Sequence, residues 1–362
     1  MKVAAIDLGT NSVRLLLAGV TDGRVYDVAR ETTVTRLGAG VDRRRRLEAA
    51  AAERTRDCLA GYAAQVASFA PAATLLVATS VLRDAADGPA FLERLGADFS
   101  LPWAILSGEQ EAALSFSGAL SGLRDLPRPA TPPGFATPPG FATPPGFATP
   151  SAGRAAAGGA AASARPATVV IDIGGGSMEL AVGRRPALQG PLAGEAAGSA
   201  LAPSFVCSLD LGVVRLTERF FACDPPDDAQ WRAAETFVAS ILSRAVPAEV
   251  IATVGEGIGL AGTFTTLVAC KLALRTYDRA LVHGHKLTLA DLEGALAAFR
   301  GETAAARGRR PGIQPGREDV ILAGVLLARE VCRLFGLAGV RVSETDLLDG
   351  VALSLGATER LP

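Results

Sequence analysis

Asp7-Leu8-Gly9-Thr10-Asn11-Ser12-Val13-Arg14-Leu15 returns in the second half of the chain as Asp172-Ile173-Gly174-Gly175-Gly176-Ser177-Met178-Glu179-Leu180. In each stretch an Asp closes an apolar run, a Gly follows two positions on, a Ser stands three beyond that, and the apolar run resumes. Strand, small polar turn and strand make a hairpin. A turn rich in Gly, Ser, Thr and Asn aims backbone N–H groups and hydroxyls at one point, the construction of an anion-binding nest. The Asp at the root of each turn adds a hard oxygen donor suited to Mg2+. Two such turns, one in each half, predict a polyphosphorylated group held between two domains.

Outward from the first hairpin, residues 3–6 and 13–20 read as paired strands, with 26–31 as a third. Residues 42–69 read as one long Ala-rich helix, and 74–78 as a buried strand running into Thr79-Ser80-Val81-Leu82-Arg83-Asp84. A helix through Phe91 and Leu95, a strand at 104–106 and a helix starting near Gly108-Glu109-Gln110-Glu111 complete an α/β half. The second half restarts this grammar. It has strands at 168–173 and 179–182, helices at 214–221 and 228–245, a strand at 250–254, a glycine-rich turn, helices at 289–299 and 319–335, a strand at 339–342 and a last helix from about 346. Between the halves, Thr-Pro-Pro-Gly-Phe-Ala occurs three times in tandem over 131–148. A Pro-rich repeat without apolar periodicity buries no core and reads as a linker or insertion. The expected domains are 1–124 joined by a C-terminal helix at about 349–362, an insert at 125–166, and 167–348.

At 362 residues the chain is long enough for two cores, and its net charge of -1 lacks the basic footprint of a nucleic-acid binder. The five cysteines form no CxxC pair, which favours a reduced cytoplasmic setting with each Cys a small buried hydrophobe. No run of about 18 apolar residues predicts a membrane span. Gly257-Ile258-Gly259-Leu260-Ala261-Gly262 matches GxGxxG, but the run sits deep in the chain and no acidic residue about 20 positions on closes a second strand, as a dinucleotide site would need. A third phosphate-facing or packing turn, ending in Gly262-Thr263 at a helix start, fits it better. There is no GxxxxGK[ST], which excludes a Walker-type ATPase.

Four segments together resemble the exopolyphosphatase/guanosine pentaphosphate phosphatase family. They are Ala5-Ile6-Asp7-Leu8-Gly9-Thr10-Asn11-Ser12, Ser107-Gly108-Glu109-Gln110-Glu111-Ala112, Ile171-Asp172-Ile173-Gly174-Gly175-Gly176-Ser177 and Leu211-Gly212-Val213-Val214-Arg215-Leu216-Thr217-Glu218. The resemblance covers almost the whole chain outside the Pro-rich insert and is closest to the short, two-domain members. It implies two duplicated actin/Hsp70/sugar-kinase-like (ribonuclease H-like) α/β domains with the active site in the cleft between them. It implies a catalytic role for Glu111, a phosphate contact for Arg83, and for Glu179 a place beside the metal or the water. Gln110 and the element Val342-Ser343-Glu344-Thr345-Asp346 depart from the family pattern, which bears on substrate preference more than on reaction class.

In chemical terms Glu111 would orient or deprotonate a water attacking the terminal phosphorus, although Glu at a helix start ordinarily serves the helix dipole. Asp7 and Asp172 would hold Mg2+ or Mn2+. Gly9, Thr10, Asn11, Ser12, Gly174, Gly175, Gly176, Ser177, Gly262 and Thr263 would bind phosphate, with Asn11, Ser12, Gly175, Gly176 and Ser177 as donors. Arg83 suits phosphate through its planar fork. The runs Arg43–Arg46 and Arg307, Arg309, Arg310, Arg317 read as solvated faces that could also guide a polyanion. His283 and His285 show no metal spacing. The expected reaction is release of terminal phosphate from inorganic polyphosphate, or from pppGpp by a family relative's route. The expected partners are those substrates, with no nucleic acid, no membrane and a possible homodimer. Other classes with the same turns are an ATP-dependent sugar or acetate kinase and an actin-like nucleotide switch.

Overall fold

The computed structural model describes residues 1–123, 166–184 and 202–357. The Thr-Pro-Pro-Gly-Phe-Ala repeat, with the expected insert around it, and the final residues of the expected C-terminal helix lie outside the described residues.

Chain order in the first lobe is β1 (Lys2–Leu8), β2 (Ser12–Thr21), β3 (Arg24–Val34), α1 (Val41–Arg44), α2 (Ala49–Phe69), β4 (Ala73–Ala78), α3 (Ser80–Asp84), α4 (Gly88–Phe99), β5 (Trp103–Ile105) and α5 (Gly108–Gly122). Its sheet has the order β3-β2-β1-β4-β5, antiparallel through the hairpins and parallel from β1 to β4 and β5. The second lobe contains β6 (Ala167–Ile173), β7 (Met178–Gly183), β8 (Phe205–Leu209), α6 (Val213–Phe220), α7 (Asp228–Ala245), α8 (Ala248–Ile251), β9 (Val254–Leu260), α9 (Ala261–Lys271), α10 (Arg279–Val282) and β10 (Lys286–Thr288). It continues with α11 (Leu289–Arg300), α12 (Ala304–Arg307), α13 (Ile321–Leu334), β11 (Gly339–Val342) and α14 (Leu347–Ala357). The second sheet, β10-β11-β9-β6-β7-β8, repeats the first around β6. An antiparallel three-strand entry followed by parallel crossovers, present twice, is the duplicated actin and sugar-kinase fold.

β1 is apolar on both faces because it is covered on both. Ala4, Ile6 and Leu8 pack with Leu59 and Tyr62 of α2, whereas Val3 and Ala5 pack with Leu348, Val351 and Ala352 of α14. The last helix thus closes the first sheet. α5, which follows the first sheet in the chain, packs instead on β6, β7 and β8 as well as on α14. The two helices touch backbone to backbone: a Cβ on Gly118 would lie 1.9 Å from Asp346 O, and one on Gly350 2.1 Å from Leu114 O. Gly350→Val should therefore cost about 1–3 kcal/mol or more, the scale of overpacking a tight contact. A thermal melt checks it, with Gly294→Val, where a Cβ meets nothing within 4 Å, as the control.

Four expectations are corrected. The single helix over 42–69 is two helices, because Arg45 takes a left-handed turn (φ 56°) that closes α1 before α2 begins. The strand at 250–254 is the short α8, and β9 starts only at Val254. Its Gly257 and Gly259 are strand residues, lying flat against Val340 and Phe264, so the glycine-rich "turn" contracts to the β9–α9 junction. The five cysteines are free, but only Cys332 is buried and Cys223 is exposed. No helix among the described residues is long and apolar enough to cross a membrane.

Candidate active site

Both hairpin turns are closed by the same bond: the Gly9 N–H donates to Ser12 O at 3.0 Å, and the Gly174 N–H to Ser177 O at 3.0 Å. Register places Asp7 opposite Arg14 and Asp172 opposite Glu179. Behind each turn, the segment that follows the third strand of the lobe takes up the turn's carbonyls. Thr10 O accepts the Gly38 N–H at 2.8 Å, and Asn11 O accepts those of Thr35 and Arg36 at 3.1 and 3.0 Å. Gly174, Gly175 and Gly176 O accept the N–H groups of Val213, Val214 and Gly212 at 3.0, 2.9 and 3.2 Å. In a planar trans peptide the next residue's N–H points opposite to the carbonyl. The N–H groups of Asn11, Ser12, Gly175, Gly176 and Ser177 are therefore turned away from their supports, the orientation an anion nest needs. Gly212 permits this closeness, since a Cβ there would stand 2.1 Å from Gly175 O.

The turns meet one another. A Cβ on Gly175 would lie 2.8 Å from Thr10 Cβ, and one on Gly176 2.5 Å from Ser80 Oγ. Beside them opens a cleft of about 660 Å³, whose lining contains Asp7, Gly9, Thr10, Asn11, Ser12, Glu111, Asp172, Gly174, Gly175, Ser177, Gly262 and Thr263. Three expected site residues stand behind that lining. Gly176 sits in the seam between the turns, Glu179 is buried beside Asp172 on the neighbouring strand, and Arg83 bonds Glu111.

Glu111 reaches the cleft because α5 starts where it does. Ser107 and Gln110 form a capping box, so Gln110, a departure from the family pattern, has a structural use one residue before Glu111. One helical turn on from Glu111, Ser115 Oγ donates to Asp172 Oδ2 at 2.7 Å, fastening α5 to the second sheet. Arg83 Nη1 bonds Leu106 O at 2.6 Å and Glu111 Oε2 at 3.2 Å. Burial raises the Glu111 pKa well above its ordinary value, with Glu179 adding to the shift and Arg83 opposing it. Burial, with Asp346 nearby, pushes Asp172 up to about 6, and burial beside Asp172 raises Glu179.

These directions give a prediction. Arg83→Gln removes a charge that favours ionised Glu111, so the Glu111 pKa rises further. A base works above its pKa, so the acid limb of the kcat/KM–pH profile should move to higher pH. A limb that stays in place would show that Glu111 does not set it.

The acids are only partly compensated by arginines. Asp7 Oδ2 accepts Arg14 Nε at 2.9 Å, but its Oδ1 is buried without a partner, and burial raises its pKa despite the arginine. A buried orphan oxygen beside Asp172 fits a hard divalent cation. Among the described residues no three His, Cys, Asp or Glu side chains gather closely enough to form a complete ligand set. That suits Mg2+, which is commonly held by one or two carboxylates together with waters and substrate phosphates.

Some cleft residues escaped the sequence. Arg14 pairs with both Asp7 and Asp346, and Asp346 O and side chain start α14. Arg30 donates to both carboxylate oxygens of Asp349 at 2.8 and 2.9 Å. Arg317, grouped above with solvated arginines, lines the cleft, and a Cβ on Gly262 would collide with its Nη1 at 1.6 Å. Burial and neighbouring Arg14 lower its pKa, with Tyr277 and Glu344 opposing. Arg307 is buried and bonds Phe299, Glu302 and Glu318 carbonyls, so it braces the Arg317 loop. The Asp346 signal was present in the late Ser-Glu-Thr-Asp element after a strand. None in the sequence separated Arg317 from its neighbours.

The chain matches the Ppx/GppA phosphatase family over residues 16–127 and 151–359, leaving out the stretch that holds the repeat. It is 34% identical to Exopolyphosphatase 2 of Mycobacterium tuberculosis over 98% of each chain. It is 36% identical to the guanosine-5'-triphosphate,3'-diphosphate pyrophosphatase of Vibrio parahaemolyticus over 115 residues, 32% of this chain and 23% of that one. The crystal structure of the Aquifex aeolicus Ppx/GppA family member superposes with a TM-score of 0.73 at 26% identity, covering 100% of this chain and 99% of that one.

Proposed function

This chain belongs to the Ppx/GppA phosphatase family, a family of phosphoanhydride hydrolases, and on that premise we propose that it releases terminal orthophosphate from inorganic polyphosphate. The observation that carries the reading is the cleft itself. Two templated turns and the carboxylates Asp7, Glu111 and Asp172 face one space, with Arg317 across it. The near full-length likeness to an exopolyphosphatase favours polyphosphate, while the shorter likeness to a pppGpp-cleaving enzyme keeps the alarmone as the second reading.

The terminal phosphate is bound by N–H groups of the two turns and by the Ser12 hydroxyl, while the Ser177 hydroxyl donates to Glu179. Arg317 neutralises part of its charge. Glu111, held by Arg83, orients the attacking water and accepts its proton, and its raised pKa brings it closer to the working pH of a general base. Asp7 and Asp172 would hold Mg2+ or Mn2+, which when bound neutralises charge on the phosphate oxygens. Phosphoryl transfer asks little covalent chemistry of a protein, so positioning and charge carry the catalysis.

The test is phosphate release from long-chain polyphosphate, pppGpp and ATP in parallel with Mg2+. Preference for polyphosphate supports the proposal, preference for pppGpp selects the alarmone reading, and no release from either overturns both. Transfer from ATP to an added acceptor without net phosphate release would instead indicate a kinase.

A further inference from the structure

Leu211–Glu218 is the family-like segment that gives the cleft lining only Val213. Its Arg215 is 11% exposed and makes contacts in both lobes. Nε donates to Gly176 O at 2.9 Å, in the second phosphate turn. Nη1 bonds Asp42 in α1, and Nη2 bonds Asp84 at the end of α3, both in the first lobe. Asp210 lies 3.6 Å from Nη2. One turn of α6 further on, Glu218 Oε1 accepts the Gly40 N–H at 2.9 Å, a second link to the same part of the first lobe.

We infer that Arg215 is a positioning residue, which joins the two lobes to the peptide of the phosphate turn and so presents the Ser177 N–H to phosphate when the cleft is closed. The geometry argues this directly. Gly176 C=O and Ser177 N–H belong to one planar peptide, so a donor fixing the carbonyl from behind fixes the N–H on the opposite side. A hydrogen bond from a cation to that carbonyl also polarises the amide and strengthens its N–H as a donor. A guanidinium is a rigid plane that can satisfy the carbonyl and two carboxylates together. An ammonium is a point charge and cannot hold all three in fixed relation. Separation of the lobes therefore pulls on the same peptide that binds the anion.

The inference rests on the phosphate-release reading, and its test is built to fail separately. Arg215→Ala, Arg215→Lys and the double variant Asp42→Asn/Asp84→Asn are compared with wild type for kcat/KM, inhibition by inorganic phosphate, and melting temperature. Arg215→Ala should lose about tenfold to a hundredfold in kcat/KM, the fold-change matching a hydrogen bond from a charged group. Phosphate inhibition should weaken in step, and added guanidinium should recover part of both. Arg215→Lys should remain impaired, and the double Asn variant should show a smaller loss in the same direction. A folded Arg215→Ala protein with unchanged kcat/KM and phosphate inhibition overturns the inference. So does a loss that tracks a lowered melting temperature and ignores guanidinium. Should Arg215→Ala not fold, the Lys and Asn variants decide by the same readouts. If wild type releases no phosphate, the functional reading fails. Calorimetric binding of inorganic phosphate then decides Arg215 alone, weaker binding by the variants supporting its role and equal binding overturning it.

Discussion

Replacement of Glu111 by Gln should lower kcat by about 10²–10⁴-fold, the range for loss of a positioned general base, while substrate binding changes little. Gln keeps the length and the planar end of the side chain, so the capping box at Ser107 and Gln110 still starts α5. What it removes is the ability to accept a proton. Burial raises the Glu111 pKa, so the neutral amide relieves a desolvation cost and the variant should melt no lower than wild type. Steady-state kinetics and a thermal melt on the same preparation check both halves. A Glu111→Gln enzyme with near wild-type kcat would remove Glu111 from the reaction and require another base in the cleft.

Asp7→Asn is expected to have the second largest effect, a fall in kcat/KM of about 10²-fold or more, since charge stabilisation by a bound cation is worth several kcal/mol. Asp7 is 3% exposed, and its Oδ1 has no partner. Its folded pKa is raised, so the native state binds the proton more tightly than the unfolded chain does. Ionisation at neutral pH therefore costs stability, a cost that appears as pH rises above the unfolded value. The Asn variant escapes that cost but loses the ionic part of its bond to Arg14. Metal-free Asp7→Asn should then melt at or above the wild-type temperature while binding Mn2+ more weakly, which paramagnetic resonance reads without turnover. Chelation should abolish wild-type activity and restoration of Mg2+ should return it. Mn2+ binding equal to wild type would place the cation elsewhere.

These two acids were legible for different reasons. Asp7 and Asp172 announced themselves by repetition, because a hairpin is local and its turn chemistry is written in consecutive residues. Their equivalence extends to the Gly9–Ser12 and Gly174–Ser177 bonds. Glu111 carried no comparable local mark, since a Glu in a first helical turn is common, and its recognition depended on family resemblance. The segment 250–254 differs from the expected strand because an apolar, β-branched run does not tell a strand from a short helix without its neighbours. The expected helix over 42–69 is two helices because helix-forming residues surround a left-handed Arg45 that propensity does not foresee.

The sequence by itself determined the duplicated hairpins, the strands β1, β2, β6 and β7, and the α/β class. Each rests on period, turn residues or order along the chain, which are properties of neighbours. The C-terminal helix was already expected with the first domain, but only the tertiary structure decided that α5 lies on the second sheet, the placement that brings Glu111 and Ser115 to Asp172. It also decided that Arg317 faces the cleft and that Arg215 ties Gly176 to Asp42 and Asp84. Those pairs are far apart in the chain, and their contact depends on how two sheets and the helices between them pack. A charge in a sequence has a sign but no direction, and the fold supplies the direction.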